Sequence, residues 1–477
     1  MRAVNVFILA RLFFRYFVRK ALSTGVLRTR LARVLLGVGV LGGIVLLSAV
    51  ATAAFREMLP GRRELFLVLQ ISTASVVFWT FISFVFVKVL FMKSDTLVRY
   101  TLLLPVSHRE RSAALALYEF VMVGATVGGL FLPIAVASLV RLGPHAVEGL
   151  LTGIVMTAAS GYLVLAVVYN VVARALEAFG GSRLTHIVSL SLMASMALWY
   201  NGTSIDLIRQ MSTDYLRGRI EFHVVNLFPY LHERMSWLAA VSAFLALIAV
   251  TVTLAAVTSP TRFPLRRRFV GTAVPLRGTR LWPTVTALVR RSEWWVSVAV
   301  AYVLAAMLWL AGNTGFVYAA MIPVSQGIYV YAATNPLRLM PGYARSAGSE
   351  VWHMLAGQTI ATAVPAVPIV LLAMARPDAW GSVRLLAMAL VSSVILTTLI
   401  ALVFVAENDS PLVVFTGYAV CFVAFASIAV MVGVLQIPGP WLWIGAACSQ
   451  VLAVAYSVVG MKHLMRRRRH EAIVPSG

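Results

Sequence analysis

Charged residues are scarce in this chain, and acidic residues are the scarcest. Of its 477 residues, 12% are charged and 60% are hydrophobic, and 17 aspartates and glutamates face 40 lysines and arginines. Ordinary soluble domains carry about 25% charged residues. This composition excludes a soluble globular protein and predicts an all-α integral membrane protein.

Cysteine and nucleotide-binding motifs are also lacking. The two cysteines, Cys421 and Cys448, lie in apolar runs and build neither a disulfide framework nor a C-x-x-C metal site. No G-x-x-x-x-G-K-[ST] motif occurs, and the G-x-G-x-x-G pattern from Gly37 to Gly42 lies inside an apolar run, where close helix packing explains it. We therefore expect no catalytic residue, no metal and no cofactor on this chain.

Long apolar runs make up most of the sequence. A helical span needs roughly 20 mostly apolar residues, and we predict about 12 transmembrane helices in two halves of six. The predicted spans are residues 34–55, 65–91, 113–140, 147–172, 184–200, 237–257, 298–311, 315–333, 351–374, 385–405, 412–434 and 441–460. Residues 203–234 are predicted to form a polar external connection with short helices that re-enter the outer leaflet.

The first 20 residues have a different pattern, with apolar side chains on one side of a helix and arginines on the other. The apolar set is Leu9, Phe13, Phe14 and Phe17, and the basic set is Arg11, Arg15 and Arg19. This pattern predicts an amphipathic helix in the membrane interface. Residues 1–258 are then the first half, 259–296 a basic cytoplasmic linker with an amphipathic start to the next half, and 297–477 the second half with a basic cytoplasmic tail.

The distribution of basic residues predicts the topology. If the N-terminus is cytoplasmic, about 30 of the 40 lysines and arginines lie on the cytoplasmic side, as the positive-inside rule requires. An even number of spans places both termini there. The excess of arginine over lysine favours a multi-pass protein of a bacterial cytoplasmic membrane. Because the basic runs flank spans, we expect membrane lipid as their partner and no nucleic acid.

A polar stretch between the second and third spans is the main candidate site. Its residues are Leu104, Pro105, Val106, Ser107, His108, Arg109, Glu110 and Arg111. Pro105 is expected to stop a helix, Ser107 and Glu110 to form a capping box, and Arg109 and Arg111 to be exposed. The local pattern is equally typical of a well-capped helix start at the lipid boundary.

This stretch resembles the L-P-V-S-R-R-E element of type-2 ABC exporter permeases, and the amphipathic N-terminal helix is similar to that family's elbow helix. The resemblance implies a permease that docks a separate cytoplasmic ABC ATPase subunit, in two copies, with ATP and Mg on that partner. The apolar and aromatic spans favour a hydrophobic or amphipathic substrate, such as a drug, lipid or peptide. Members with six spans pair as dimers, so twelve spans in one chain leave a homodimer open.

Residues 336–341 (PLRLMP), ending at Pro341, repeat residues 100–105 (YTLLLP) at an offset close to half the chain. Weaker coupling candidates in this second loop are Met340, Pro341 and Arg345. Glu119, an acid inside the third span, is a functional candidate by default, although a structural salt bridge with Lys88 is the simpler interpretation. An ion-coupled secondary transporter is the main alternative function, and a membrane enzyme or an assembly factor is a third.

Overall fold

Helices make up almost all of the described chain. The computed structural model describes residues 3–23, 30–58, 62–91, 101, 104–178, 185–216, 221–258, 281–338, 346–403 and 439–473. No strand occurs within these ranges. The predicted all-α class is therefore confirmed for the described residues.

The chain divides into two compact units, residues 1–19 with 29–266 and residues 20–28 with 267–477. The helices of the first unit are α1 (Ala3–Ser23, which belongs to this unit as far as Arg19), α2 (Arg30–Met58), α3 (Arg62–Phe91), α4 (His108–Leu142), α5 (Ala146–Leu150), α6 (Thr157–Ala178), α7 (Thr185–Leu216), α8 (Leu227–Arg234) and α9 (Trp237–Thr258). A π-helical turn, Leu151–Met156, joins α5 to α6. The predicted boundaries at residues 258 and 296 stay predictions, because residues 259–280 lie outside the described ranges.

The second unit contains seven helices and a long 3₁₀ segment, Thr314–Tyr329, within its described residues. The helices are α10 (Leu281–Val289), α11 (Ser292–Leu310), α12 (Val330–Ala333), α13 (Asn335–Arg338), α14 (Ala347–Met374), α15 (Trp380–Val403) and α16 (Gly439–Ile473). The 3₁₀ segment packs against α11, α14 and α15.

Among the described residues, 7 helical segments are long and apolar enough to cross a membrane. They are Leu67–Lys88, His108–Ala178, Trp237–Thr258, Ser292–Leu310, Thr314–Arg338, Ala347–Met374 and Pro377–Val403. These segments support the predicted membrane protein. The eleventh predicted span, residues 412–434, lies outside the described ranges, and the total of 12 and its division into halves stay predictions.

Helix α3 is the centre of the first unit and packs against α4, α6 and α7. Glycines on the facing segment permit the close approach: a methyl group at Gly153 would lie 3.2 Å from the Leu69 carbonyl oxygen, and one at Gly161 would lie 3.4 Å from Thr80. Small residues at helix contacts are typical of membrane bundles, where packing replaces the hydrophobic effect between helices.

The prediction of separate short helices within residues 203–234 is wrong for residues 203–216, and the external position of this connection stays a prediction. Helix α7 continues without a break to Leu216. Two hydroxyl groups of the added turns bond within the helix: Thr203 Oγ1 donates to the Tyr200 carbonyl at 3.0 Å, and Ser204 Oγ donates to the Asn201 carbonyl at 2.8 Å. Such internal bonds let polar residues extend a helix. The short helices Val224–Asn226 and α8 follow, in agreement with the prediction that short helices form here.

The 3₁₀ segment has an unusual length of 16 residues, whereas runs beyond 3 to 4 residues are uncommon. At about 2.0 Å per residue it extends about 32 Å, compared with about 24 Å for an α-helix of the same length. The hydrocarbon core is about 30 Å thick. A regular 3₁₀ helix of 16 residues is therefore about 8 Å longer than an α-helix with the same number of residues.

One close contact holds this segment against its neighbours. A methyl group at Gly327 would overlap the side-chain amide of Gln358 and would lie 2.6 Å from Thr397 Oγ1. Gln358 is buried; its Nε2 donates to Thr397 Oγ1 at 2.7 Å, and its Oε1 accepts from Thr398 Oγ1 at 2.9 Å. The glycine thus leaves room for a hydrogen-bonded bridge between α14 and α15.

We expect Gly327→Ala to lower the free energy of unfolding by about 2 to 3 kcal/mol, because the amide of Gln358 must leave its partners while it stays buried. Unfolding by sodium dodecyl sulfate in mixed micelles measures the loss. Gly348→Ala is the matched control, since nothing lies within 4 Å of a methyl group there. Equal stability of the two variants would refute the role of the contact.

Candidate functional site: the turn before helix α4

The residues immediately before α4 form a bent, exposed turn. The Val106 amide donates to the Leu104 carbonyl at 2.7 Å, and the Leu104 amide donates to the Thr101 carbonyl at 3.3 Å. Leu104 is 42% exposed, and Pro105 is also exposed. The turn therefore presents apolar side chains on the surface, bounded by the polar start of α4.

The predicted capping box at the start of α4 is confirmed. Ser107 Oγ accepts from the Glu110 amide at 3.3 Å, and the Ser107 amide donates to Glu110 Oε2 at 3.1 Å. Glu110 is buried. Its carboxylate is therefore engaged in satisfying the first turn of the helix, and it is not an exposed charge for a partner.

The expected exposure of Arg111 is wrong. Its side chain is 2% exposed. Nη2 donates to the Thr101 carbonyl at 2.8 Å, and Nη1 lies 3.2 Å from His108 Nδ1. At this register the side chain points back at the preceding segment, so it ties the start of α4 to Thr101. Arg111 holds the turn in place.

Arg109 is exposed, as expected. His108 and Ser107 are exposed beside it. The surface that a partner can reach is therefore smaller than the sequence predicts: Leu104, Pro105, Ser107, His108 and Arg109. We call these five residues the docking turn.

Helix α1 packs along the first turns of α4. The rings of Phe13, Phe14 and Phe17 meet the Tyr118 ring edge to face, with centroids 6.1, 6.5 and 6.3 Å apart. Phe13 is fully buried, whereas Phe14 remains partly exposed. The contact of the three rings with Tyr118 lies about three helical turns after the docking turn.

Glu119 follows Tyr118 and forms the ion pair that the sequence suggested. Lys88 Nζ lies 2.6 Å from Glu119 Oε2, and the two side chains are 16% and 11% exposed. The same ammonium lies 5.5 Å from the centre of the Phe84 ring and 4.7 Å from that of Tyr169. The pair and its cation–π contacts therefore tie α3, α4 and α6 together at one point.

In the second unit the predicted coupling residues Met340, Pro341 and Arg345 lie outside the described residues. The helix that follows them also begins with a serine cap. Ser346 caps α14 and accepts from the Ser349 amide at 3.2 Å, and Glu350, four residues after the cap, is buried, as Arg111 is four residues after Ser107.

Glu350 binds the residue that precedes the loop. Arg338 Nε lies 2.6 Å from Glu350 Oε1, with side chains 5% and 3% exposed. Arg338 Nη1 also donates to the Tyr331 carbonyl at 3.0 Å, Nη2 donates to Thr334 Oγ1, and the guanidinium carbon lies 3.9 Å from the centre of the Tyr331 ring. In each unit, a charged residue four positions after a serine cap therefore fastens the helix to the preceding chain.

Sequence reasoning missed Arg338 and Glu350, as well as the rings around Lys88. Phe84 stands four residues before Lys88 on one helix, a spacing that places both on the same face, so that contact was readable. Tyr169 and the pairing of Arg338 with Glu350 depend on tertiary packing and gave no local signal. Within the described residues, no group of three or more histidines, cysteines, aspartates and glutamates could hold a metal ion.

No protein-family model, curated protein or solved structure matches the chain.

Proposed function

We propose that this chain is the permease subunit of an ATP-driven ABC exporter in a bacterial cytoplasmic membrane, with both termini cytoplasmic. A separate cytoplasmic ATPase, in two copies, binds ATP and Mg and supplies the energy. The substrate is hydrophobic or amphipathic, such as a drug, a lipid or a peptide. The observation that carries this proposal is the docking turn, which is exposed and yet rigidly fixed to α4.

The contacts of the docking turn would let a force on the turn move helix α4 and the helices packed against it. The capping box and the bond from Arg111 to Thr101 fasten the docking turn to α4 at both of its ends, so a partner that moves the turn moves the helix. Tyr118 passes the movement to α1, and the Lys88–Glu119 pair passes it to α3 and α6. Closure of two ATPases on ATP would thus shift a bundle of four helices.

The charges of the spans support the proposed substrate class. Buried acidic residues lie within the first turn of α4, α11 and α14, at Glu110, Glu293 and Glu350. Glu119, deeper in α4, is matched by Lys88. Because a permanent charge inside a bilayer is costly, these spans favour cargo that is itself apolar or amphipathic.

Arg109→Glu is expected to reduce ATPase capture by tenfold or more, roughly the effect of one central interface arginine, while the fold stays intact because the side chain is exposed. Photo-crosslinking from p-benzoylphenylalanine at Leu104, in the cells that normally make the protein, measures capture. Mass spectrometry of the product identifies a partner with a Walker A motif. Arg384→Glu, an exposed arginine of α15, is the matched control.

Comparison of Arg111→Met with Arg109→Glu distinguishes an effect on stability from an effect on ATPase binding. We expect Arg111→Met to lower the free energy of unfolding by about 2 kcal/mol, because the buried Thr101 carbonyl loses its charged donor. Sodium dodecyl sulfate titration measures that loss beside Arg109→Glu, which is expected to match the wild type. If Leu104 captures no nucleotide-binding protein, or if Arg109→Glu captures it as well as the wild type does, the docking turn is not the ATPase site.

One observation favours a second candidate, an ion-coupled secondary transporter. The Lys88–Glu119 pair places two ionisable groups inside predicted spans, as proton-coupled carriers do. Proteoliposomes that contain the chain alone, loaded with rhodamine 6G, distinguish the two candidates. Dye efflux driven by an imposed proton gradient would support the carrier and overturn the ABC proposal.

A further inference from the structure

Helix α1 has two faces with different surroundings. One face, formed by Val6, Leu9 and Phe13, is buried against Ala114 and Tyr118 of α4. The opposite face carries large apolar side chains that are exposed. They are Val4, Phe7, Ile8, Leu12 and Val18, and Phe7 and Ile8 are 67% and 59% exposed.

Three exposed arginines, Arg11, Arg15 and Arg19, lie on that same outer face. Spaced four residues apart, they fall within a sector of roughly 80° on a helix with 3.6 residues per turn. The 21 residues of α1 contain no aspartate or glutamate. The outer face thus alternates positive charge, unmatched by any acid of its own helix, with large apolar side chains.

This mixture decides which partner the face fits. In water, the exposed side chains of Phe7 and Ile8 would cost free energy. In hydrocarbon, the charged guanidinium groups would have no polar partners. A nucleic acid or an acidic soluble surface would match the arginines but not the apolar side chains between them. The headgroup region of a bilayer accepts both, because apolar side chains insert beneath the phosphates while arginine binds them with two hydrogen bonds.

We propose that the outer face of α1 binds the anionic phospholipid headgroups of the leaflet in which α1 lies. Arg11, Arg15 and Arg19 hold the phosphates, and Phe7, Ile8 and Leu12 insert into the acyl boundary. Because Phe13 packs on Tyr118 from the other side of α1, headgroup binding also steadies the start of α4. The proposal does not depend on the proposed function, since it concerns lipid and requires no ATPase.

The test measures which lipid lies against α1. Bimane is attached at Leu12→Cys in the full chain, after Cys421→Ser and Cys448→Ser remove the other thiols. The protein is placed in nanodiscs with brominated phosphatidylglycerol or brominated phosphatidylcholine as quencher. We expect phosphatidylglycerol to be preferred at least fivefold, since one basic residue near an anionic surface contributes roughly that factor.

The triple variant Arg11→Gln, Arg15→Gln, Arg19→Gln is expected to reduce the preference to about one. The matched control, Arg56→Gln, Arg141→Gln, Arg209→Gln, removes the same charge from exposed positions elsewhere in the first unit and should keep the preference. If the first triple variant does not assemble, Arg15→Gln alone should lower the preference about fivefold. An unchanged preference in the α1 variants, or an equal loss in the control, would overturn the proposal.

Discussion

Arg338→Met is expected to lower the free energy of unfolding by about 3 to 5 kcal/mol, the largest loss that we predict for a single substitution. The guanidinium lies 2.6 Å from the Glu350 carboxylate, and both side chains are at least nineteen-twentieths buried. Methionine keeps much of the volume but removes the charge. Glu350 then remains buried without its cation, and the Tyr331 carbonyl and Thr334 hydroxyl lose a charged donor.

The measurement is unfolding by sodium dodecyl sulfate, read by far-ultraviolet circular dichroism. Arg384→Met is the control, because Arg384 is exposed on α15 and its removal should change stability by less than about 0.5 kcal/mol. The double variant Arg338→Met, Glu350→Met should regain part of the loss, since no charge is then left unmatched. If Arg338→Met is as stable as Arg384→Met, the pair does not hold the second unit together.

The positions of several helices were predictable from the sequence, because a span needs an apolar run of a fixed length. The predicted spans at residues 65–91 and 237–257 correspond to α3 and α9 with ends that differ by a few residues. The 3₁₀ form of Thr314–Tyr329 was not readable, because its apolar composition suits an α-helix equally well. The contact that Gly327 of this segment makes with Gln358 was not predictable either, because it joins residues 31 positions apart.

The candidate site also has one feature that the sequence predicted correctly and one that it did not. The capping box of Ser107 and Glu110 was predictable because both partners lie within one helical turn. The orientation of Arg111 was not, because its acceptor, the Thr101 carbonyl, belongs to the preceding segment, which the chain must first fold back. The sequence therefore predicted that Arg109 and Arg111 are both exposed, whereas only Arg109 is exposed in residues 104–111 of the structure.

Lys88→Met is expected to lower the free energy of unfolding by about 3 kcal/mol. The substitution leaves Glu119 without its cation, and it removes the ammonium from the Phe84 and Tyr169 rings. Glu119→Leu leaves Lys88 without its carboxylate partner and should lower the free energy of unfolding by a similar amount. The double variant Lys88→Met, Glu119→Leu should be more stable than either, so a double-mutant cycle should give a coupling energy above about 2 kcal/mol.

The charge swap Lys88→Glu, Glu119→Lys adds a second test of the same cluster. It restores opposite charges across α3 and α4, but the lysine then starts from α4, away from Phe84 on its former helix. We expect it to recover the ion pair without the cation–π contacts, and therefore to lie between the wild type and the single variants in stability. Singles as stable as the wild type, or a cycle with no coupling, would show that the pair contributes nothing to the packing of the two helices.

The double variant also asks whether the pair transmits movement or only stabilises the bundle. In the proposed exporter, α4 moves with the docking turn, and the pair carries that movement to α3 and α6. Methionine and leucine at these positions restore packing between α3 and α4, but they let the two helices shift against each other more easily. Dispersion contacts have no fixed direction, whereas a charge-assisted hydrogen bond does. We therefore expect Lys88→Met, Glu119→Leu to fold and to retain capture of the ATPase at Leu104, while substrate-stimulated ATP hydrolysis falls about tenfold or more. Full stimulation in that variant would reduce the pair to a structural tie, with the docking turn left intact as the proposed site.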